Sequence, residues 1–437
     1  GTSGEGRAMI SRRPSALASK WQVVAGAFLV LMTGFGAIYS YAAFAEEIAG
    51  TFGVDRPHLA AVFALSGGSC FLVSAVSGPL ADRLGARALA GVGMLLIGAG
   101  LAMAATARTL MEVYLGYGLL TGLGAGFGYV PAMAAVQRAF IARRGLASGI
   151  AVSGIGIGTA LVPPAAEMLA SFGDWRTAFL VSGAGVALVG SAGAMLLPGA
   201  PAAASRHEPQ ARLPARGFAL AWLGTLLVSM PAMLPHAALV GSARDLGLSR
   251  AESLGLLGLL GIGTIIGRFV LAALADALCR RRVFIACCAA MAGSMAVWAV
   301  ADGMWMLRGF SLVFGAVQGG VVALLPAFIA DRFGIAGLGR AMGLLYTSRG
   351  VALLAAPPVL MAAIEEAGLA LPVLAFGGLG LLGVVALFCV DRRGISTAWP
   401  AWRLFICREA PRLPDGVQAY RCVGSGSPLS GREAAAP

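Results

Sequence analysis

Long apolar runs separated by short polar breaks constrain this chain more than any other feature of its sequence. A helix that crosses a membrane needs about 20 mostly apolar residues, and twelve such runs can be read along the 437 residues. They predict an all-α membrane protein with twelve transmembrane helices, numbered spans 1 to 12 in chain order. The predicted spans are 21–46, 58–80, 88–107, 109–134, 146–171, 176–197, 217–241, 252–275, 283–301, 304–330, 340–364 and 369–390.

The composition excludes an ordinary soluble enzyme. Hydrophobic residues make up 58% of the chain and charged residues only 12%, whereas an average soluble domain is about 25% charged. A soluble fold of this composition would expose large apolar patches, which promote aggregation.

The positive charge is distributed by side of the membrane. With both termini on one side, 24 Lys and Arg residues fall on that side and six on the other. Such an excess is typical of the cytoplasmic side, so the net charge of +12 reflects topology and we expect no nucleic-acid partner. No cleavable signal peptide is apparent. We expect a multi-pass protein of a bacterial inner membrane with both termini in the cytoplasm.

The chain divides into two six-helix pseudo-repeats at an offset of 194 residues. Asp82 at the end of span 2 corresponds to Asp276 at the end of span 8, and Gly149 in span 5 to Gly343 in span 11. Repeated features at one offset indicate an internal duplication. The predicted segments are a cytoplasmic arm (1–20), an N-terminal bundle (21–197), a cytoplasmic central loop (198–216), a C-terminal bundle (217–391) and a disordered cytoplasmic tail (392–437).

A duplicated six-plus-six helical arrangement is the plan of many secondary transporters. These proteins hold their substrate near the membrane midplane between the halves, and expose it to each side in turn by rocking one half against the other. Such a protein can work as a monomer. Its expected partners are a small substrate and the lipid bilayer, with no cofactor and no metal.

Several motifs resemble a known family. The stretch GPLADRLGAR at 78–87 resembles the loop 2–3 signature of the major facilitator superfamily. Residues 143–164 are similar to the monocarboxylate transporter branch, and Tyr39 together with LYTSRG at 345–350 resembles the oxalate/formate antiporter family. The resemblance covers about 20–390 and implies transport of small organic anions, mono- or dicarboxylates, by alternating access.

Two arginines remain once every other basic residue is assigned to a loop or a terminus. Arg268 in span 8 lies eight residues before Asp276, and Arg349 in span 11 lies nine residues after Arg340. Both are therefore about 12–14 Å from the predicted cytoplasmic ends of their helices. An arginine at mid-membrane costs at least about 2.5–3.5 kcal/mol and is normally paired or functional.

No carboxylate of the sequence lies at a depth comparable with these two arginines. The pair therefore predicts a substrate-binding site for an anion, since each planar guanidinium group suits a carboxylate. The alternative is that each side chain snorkels to the cytoplasmic interface. The resemblance implies the substrate reading, because the oxalate/formate family carries a substrate-binding Arg and Lys here. Arg349 stands where that family has Lys.

The sequence departs from the related transporters at a second position, which bears on whether transport is coupled to protons. Proton-coupled monocarboxylate transporters have an aspartate four residues before the span 8 arginine, whereas this chain has Thr264. His236 in span 7 is then the titratable side chain well inside a span, and it is either a proton carrier or a structural residue beside Pro235. Anion exchange or uniport is favoured, with a proton-coupled monocarboxylate symporter as the alternative.

Further substrate-binding candidates are aromatic or polar. Tyr39, Tyr129 and Tyr346 could supply hydroxyl donors and ring walls, although aromatic residues in membrane helices are often packing or interfacial residues. Gln318 in span 10 stands where the family's oxalate carrier has aromatic walls, which favours a larger or less flat acid than oxalate.

Charged residues at the cytoplasmic ends of the helices are the gating candidates. The resemblance implies that Asp82, Arg83 and Arg87 lock against Arg144 or its neighbours when the inner gate is closed. Asp276 occupies the position of Asp82 in the second repeat and is assigned the same role. The alternative is that these residues only set the topology.

Two rival classes of protein remain, a transporter-like sensor acting through the tail and an intramembrane enzyme. The spans show no Ser/His, His/Asp or metal-ligand cluster of the kind that an enzyme needs. To separate the sensor from the transporter, we predict that deleting the residues after 395 leaves substrate flux unchanged in vesicles. A tail-driven sensor would lose its output.

Overall fold

The computed structural model describes residues 13–54, 56–170, 173–200 and 213–390. Within these ranges the regular structure is helical, without strands. Eleven helices are long and apolar enough to cross a membrane, and one bent pair makes a twelfth crossing. The predicted twelve-helix, all-α fold is confirmed. The predicted tail, and most of the predicted arm and central loop, lie outside the described residues.

The helices agree with the predicted spans to within a few residues at most ends. Spans 1 to 6 are Arg13–Phe52, Arg56–Leu72 continued by Ser74–Leu84, Ala86–Ala105, Leu110–Ala139, Arg144–Ala170 and Trp175–Met195. Spans 7 to 12 are Ala215–Asp245, Arg250–Ala277, Arg280–Ala299, Met304–Phe333, Leu338–Ala367 and Ala370–Cys389.

Span 2 is bent, which the apolar run did not predict. Its two helices meet at Val73 and differ in direction by 41°. Pro79 lies in the second helix. A proline ring clashes with the preceding turn and leaves one carbonyl without its helical donor, so a bend on the N-terminal side of Pro79 is expected. The bend places Phe71 and Ser74, on either side of it, against different neighbours.

Spans 5 and 8 cross with their backbones in contact at two glycines. A methyl group at Gly145 would lie 2.6 Å from the carbonyl oxygen of Ala272, and one at Gly149 would collide with the carbonyl oxygen of Arg268. Small residues permit this close approach of helices in a membrane. Because span 5 belongs to the N-terminal half and span 8 to the C-terminal half, the crossing joins the halves.

Spans 2 and 11 repeat the same crossing. A methyl group at Gly339 would collide with the carbonyl oxygen of Gly78, and one at Gly343 with that of Ser74. Each of these four residues lies 194 positions from its counterpart in the crossing of spans 5 and 8. The internal repeat is therefore a repeat of the interface between the halves as well as of the helices.

Filling the crossing of spans 2 and 11 is expected to destabilise this state. We predict that Gly343→Val lowers stability by about 1–3 kcal/mol, because the added side chain cannot enter without moving a backbone. Gly293→Val in span 9 is the matched control, since a methyl group there would meet no heavy atom within 4 Å. Thermal unfolding in detergent measures both. Equal melting temperatures would contradict the close packing.

Candidate functional site

Arg268 extends from span 8 onto span 5 of the other half. Its side chain is 7% exposed, and its Nη1 donates a hydrogen bond to the Val152 carbonyl at 3.3 Å. The same nitrogen lies 2.9 Å from where a methyl group at Gly156 would stand, so the absence of a side chain there makes room for the guanidinium. The Nε–H is buried without a hydrogen-bond partner.

Arg349 extends from span 11 onto span 2, also in the other half. It is 8% exposed, and its guanidinium carbon lies 5.6 Å from the centroid of the Phe71 ring. Within the described residues it makes no hydrogen bond and no ion pair. The guanidinium therefore keeps its N–H donors available at the interface between the halves.

The depth of these contacts argues against snorkelling. Val152 lies eight residues from the start of span 5, and Phe71 thirteen residues before the end of span 2. At 1.5 Å per residue, both contacts are made at least about 12 Å from the predicted cytoplasmic ends. Each arginine is thus held at mid-membrane by a residue of the opposite half.

Tyr39 and Tyr129 lie within electrostatic range of both guanidinium groups. Tyr39 is 40% exposed and its ring packs edge-on against Phe63 at 5.6 Å. Tyr129 in span 4 is buried, and its hydroxyl lies 3.1 Å from that of Tyr346 in span 11. The two arginines and these three tyrosines are thus brought together where the halves meet.

An aromatic cluster, made of Phe71, Tyr129 and Tyr346, joins the two halves beside Arg349. The ring of Phe71 stacks on Tyr346 at 5.9 Å and meets Tyr129 edge-on at 5.8 Å. Tyr346 lies one helical turn before Arg349, nearer the start of span 11. Sequence reasoning missed Phe71, because an aromatic residue in an apolar run carries no signal beyond packing.

Gln318 and His236 belong to the C-terminal half and are both associated with span 7. Gln318 is buried and donates through Nε2 to the Ala232 carbonyl of span 7 at 2.7 Å. His236 lies one helical turn after Ala232 on span 7, and its side chain is exposed. The amide of Gln318 is therefore engaged by span 7 instead of the arginines, and the roles assigned to both residues stay predictions.

Asp82 joins span 2 to the beginning of span 11. Its carboxylate accepts hydrogen bonds from the backbone N–H groups of Gly339 and Arg340, both at 2.9 Å, and forms an ion pair with Arg138. A negative charge is stabilising at a helix N-terminus, where N–H groups lack helical partners. Its partner is thus Arg138, where sequence reasoning expected Arg144 or its neighbours.

Asp276 makes the equivalent contact in the second repeat. It accepts from the N–H groups of Gly145 and Leu146, at the beginning of span 5, at 3.0 and 2.8 Å. Donors and acceptor are all displaced by 194 residues from those of the Asp82 contact. The paired contacts of Asp82 and Asp276 are called the twin latch.

Arg144 pairs with a residue that sequence reasoning did not single out. Its Nη1 lies 2.5 Å from Oδ1 of Asp331 at the end of span 10, and Arg280 Nε lies 3.1 Å from Oδ2 of the same carboxylate. Asp331 thus links the two halves through Arg144. The internal repeat did not indicate Asp331, because the equivalent position, 194 residues earlier, is occupied by Gln137 and not by a carboxylate.

Arg83 and Arg87 do not join the halves as expected of gating residues. Arg83 is exposed. Arg87 donates through Nε to the Leu197 carbonyl at 3.0 Å, so it ties span 3 to the end of span 6 within the N-terminal half.

The conformation is closed on the predicted cytoplasmic side. The hydrogen bonds and ion pairs that join described residues of the two halves lie between the helix ends on that side and the level of Arg268 and Arg349. In the opposite end of span 8, methyl groups at Gly255, Gly258 and Gly261 would meet no atom within 4 Å. That end of span 8 is therefore loosely packed at these three positions.

The donor set of the site is cationic and phenolic. Within the part of the chain that the structure describes, no three His, Cys, Asp or Glu side chains are placed to hold a metal ion. Two guanidinium groups with free N–H donors are suited to an anion.

The model of the Major Facilitator Superfamily matches residues 26–222 and again 221–422. The chain belongs to this superfamily. The two matches coincide with the two repeats, and the predicted superfamily and monocarboxylate transporter branch are confirmed. The chain is a membrane transporter of the monocarboxylate-transporter type.

Similar proteins agree with this assignment. Monocarboxylate transporter 12-B of Danio rerio is 27% identical over 381 residues, covering 78% of this chain and 80% of that protein. Human monocarboxylate transporter 11 is 34% identical over 237 residues, covering 52% and 50%. No comparison tests the resemblance to the oxalate/formate antiporter family, which stays a prediction.

Solved structures share the fold at low identity. The proton:xylose symporter XylE has a TM-score of 0.70 at 14% identity and covers 85% of this chain and 96% of its own. The human organic anion transporter MFSD10 has a TM-score of 0.64 at 17% identity, covering 84% and 99%.

We predict that Asp82→Asn opens the predicted cytoplasmic side. A charge at a helix N-terminus contributes about 0.3–2 kcal/mol, so the open population should rise severalfold. A Met342→Cys reporter, at a position buried in this state, would then react faster with a maleimide added from that side in a background without native cysteines. Asp245→Asn, at the exposed far end of span 7, is the control. Unchanged reactivity would contradict a latch at Asp82.

Proposed function

We propose that the protein is a secondary active transporter of small organic anions, mono- or dicarboxylates, which works by alternating access as an anion exchanger or uniporter. The observation that carries the proposal is the pair of buried guanidinium groups, Arg268 and Arg349, at the interface between the halves. Relatives named monocarboxylate transporters support the same substrate class.

The substrate carboxylate binds between the two arginines in this proposal. Each guanidinium presents parallel N–H groups that match the two oxygens of a carboxylate. The hydroxyl of Tyr39, which lies within electrostatic range of both charges, is a third donor. The rings of Tyr129 and Tyr346 form one wall of the binding site in this proposal. Gln318 supports the site indirectly, since its amide is hydrogen-bonded to the Ala232 carbonyl of span 7.

Transport requires the closed side to open while the other closes. The twin latch and the Arg144–Asp331 pair hold the predicted cytoplasmic side shut, and their release lets the halves rock. Asp82, Asp276 and Arg144 are therefore the proposed gate. The protein works in this proposal as a monomer in a bacterial inner membrane, with its termini and this gate in the cytoplasm.

Exchange is favoured over proton symport by the composition of the site. Sealing two cations from water without an anion is costly, because each charge loses its hydration. The loaded protein therefore changes conformation more readily than the empty one, and substrate is exchanged for substrate. Thr264, which occupies the position of the symporters' aspartate, donates to the Leu260 carbonyl at 2.8 Å and cannot titrate near neutral pH.

The alternative is proton-coupled monocarboxylate symport with His236 as the proton carrier. His236 lies in span 7 with an exposed side chain, and imidazole is the side chain that ordinarily titrates near neutral pH. In this alternative the proton would be carried by a residue of span 7.

The test is counterflow in proteoliposomes preloaded with oxalate, formate, lactate, pyruvate or larger acids. We predict that Arg268→Gln and Arg349→Gln each reduce flux of the transported acid at least about thirtyfold, since losing one partner of a buried charge pair costs about 2–5 kcal/mol. Arg143→Gln, exposed on the predicted cytoplasmic side, is the control and should keep full flux.

The same assay separates the coupling modes. Exchange should be insensitive to a proton uncoupler, whereas symport should follow an imposed pH gradient and fall in His236→Gln. Flux unaffected by both arginine substitutions would contradict the anion site.

A further inference from the structure

Arg349 rests on an aromatic ring instead of a carboxylate. Its guanidinium carbon lies 5.6 Å from the centroid of Phe71, and Phe71 in turn stacks on Tyr346 with an interplanar angle of 11°. Tyr129 meets the same Phe71 ring edge-on, at an angle of 82°. The ring is thus held by neighbours from both halves and cannot easily turn away from the guanidinium.

The face of an aromatic ring stabilises a cation without using its hydrogen-bond donors. The ring attracts the positive charge through its quadrupole, and this attraction is strongest where water is excluded. The N–H groups of a guanidinium point outward in its plane. A carboxylate can therefore bind Arg349 edge-on while Phe71 remains in place, which a protein carboxylate in that position would prevent.

The two arginines are held by different means. Arg268 donates one N–H to the Val152 carbonyl at 3.3 Å, whereas Arg349 makes no hydrogen bond within the described residues. Phe71 is the charge-stabilising contact found for Arg349, and without it the guanidinium would be free to take other rotamers. The position of one half of the site thus depends on a phenylalanine of the other half.

We propose that Phe71 is a positioning residue that holds Arg349 with its N–H edge free for the substrate carboxylate. This role rests on the proposed function, because it requires that Arg349 binds an anion. Phe71 belongs to the N-terminal half and Arg349 to the C-terminal half, so the contact exists while the predicted cytoplasmic side is closed. When the halves rock apart on that side, the ring moves away from the guanidinium. Arg349 is then held less firmly, and its hold on the substrate carboxylate weakens.

The test replaces Phe71 with a fluorinated series, 4-fluoro- and 3,4,5-trifluorophenylalanine, in the full chain. Fluorine withdraws electron density from the ring face with little change in shape. The acid identified by counterflow is titrated onto the purified protein, and its Kd should rise stepwise along the series. Phe71→Leu should weaken binding roughly tenfold, which corresponds to about 1.4 kcal/mol, and Phe71→Trp should retain binding.

Two controls separate positioning from packing. Phe179→Leu removes a fully buried ring that stacks on Tyr117 at 5.4 Å, away from the arginines, and should leave the Kd unchanged. In an Arg349→Gln background the fluorination series should leave the residual Kd unchanged, because the ring no longer faces a cation. Melting temperatures of all variants report folding.

The outcomes distinguish this role from the function on which it rests. A flat Kd across the fluorinated series, with wild-type protein binding the acid, would overturn the role of Phe71 alone. Wild-type protein that binds and transports none of the acids would overturn the proposed function, and the role of Phe71 with it.

Discussion

A guanidinium group without a carboxylate partner is costly in the interior of a membrane, and this constraint organises the centre of the molecule. Arg268 lies against span 5, where Gly156 leaves room for it and the Val152 carbonyl accepts one N–H. Arg349 lies against the ring of Phe71. Neither contact neutralises the positive charge. The contacts therefore lower the free-energy cost of burying the two guanidinium groups, and both groups can still bind an anion. In this closed state each arginine is supported by a residue of the opposite half, so the halves lie close together at mid-membrane.

The interface between the halves is symmetric at the contacts that close the predicted cytoplasmic side and asymmetric at the proposed binding site. The twin latch and the glycine crossings recur at one offset of 194 residues in spans 2 and 11 and in spans 5 and 8. At the same offset, however, Arg268 and Arg349 correspond to Ser74 and Ile155. The repeat thus carries two copies of the glycine crossing and of the latch, whereas the two arginines occur in the C-terminal copy alone.

The sequence predicted most of the fold, because each span is a local run of apolar residues and each repeated motif can be aligned by counting. It also singled out Arg268 and Arg349, since a charge in such a run conflicts with its surroundings. It could not predict Phe71 or Asp331. Phe71 is an ordinary apolar residue until the packing of spans 2 and 11 places it under a guanidinium. Asp331 is one of many carboxylates at span ends until Arg144 reaches it from the other half.

Arg268 and Arg349 both belong to the C-terminal half, so the charge of the site stays with one half throughout a transport cycle. When water access switches sides, the membrane potential falls across whichever barrier is closed, and the site's charge crosses the electric field although its residues scarcely move. An empty site carries the charge of both arginines, a monoanion leaves one charge, and a dianion leaves none. Each elementary charge is worth about 2.3 kcal/mol per 100 mV. The valence of the bound acid therefore decides whether the loaded step responds to voltage.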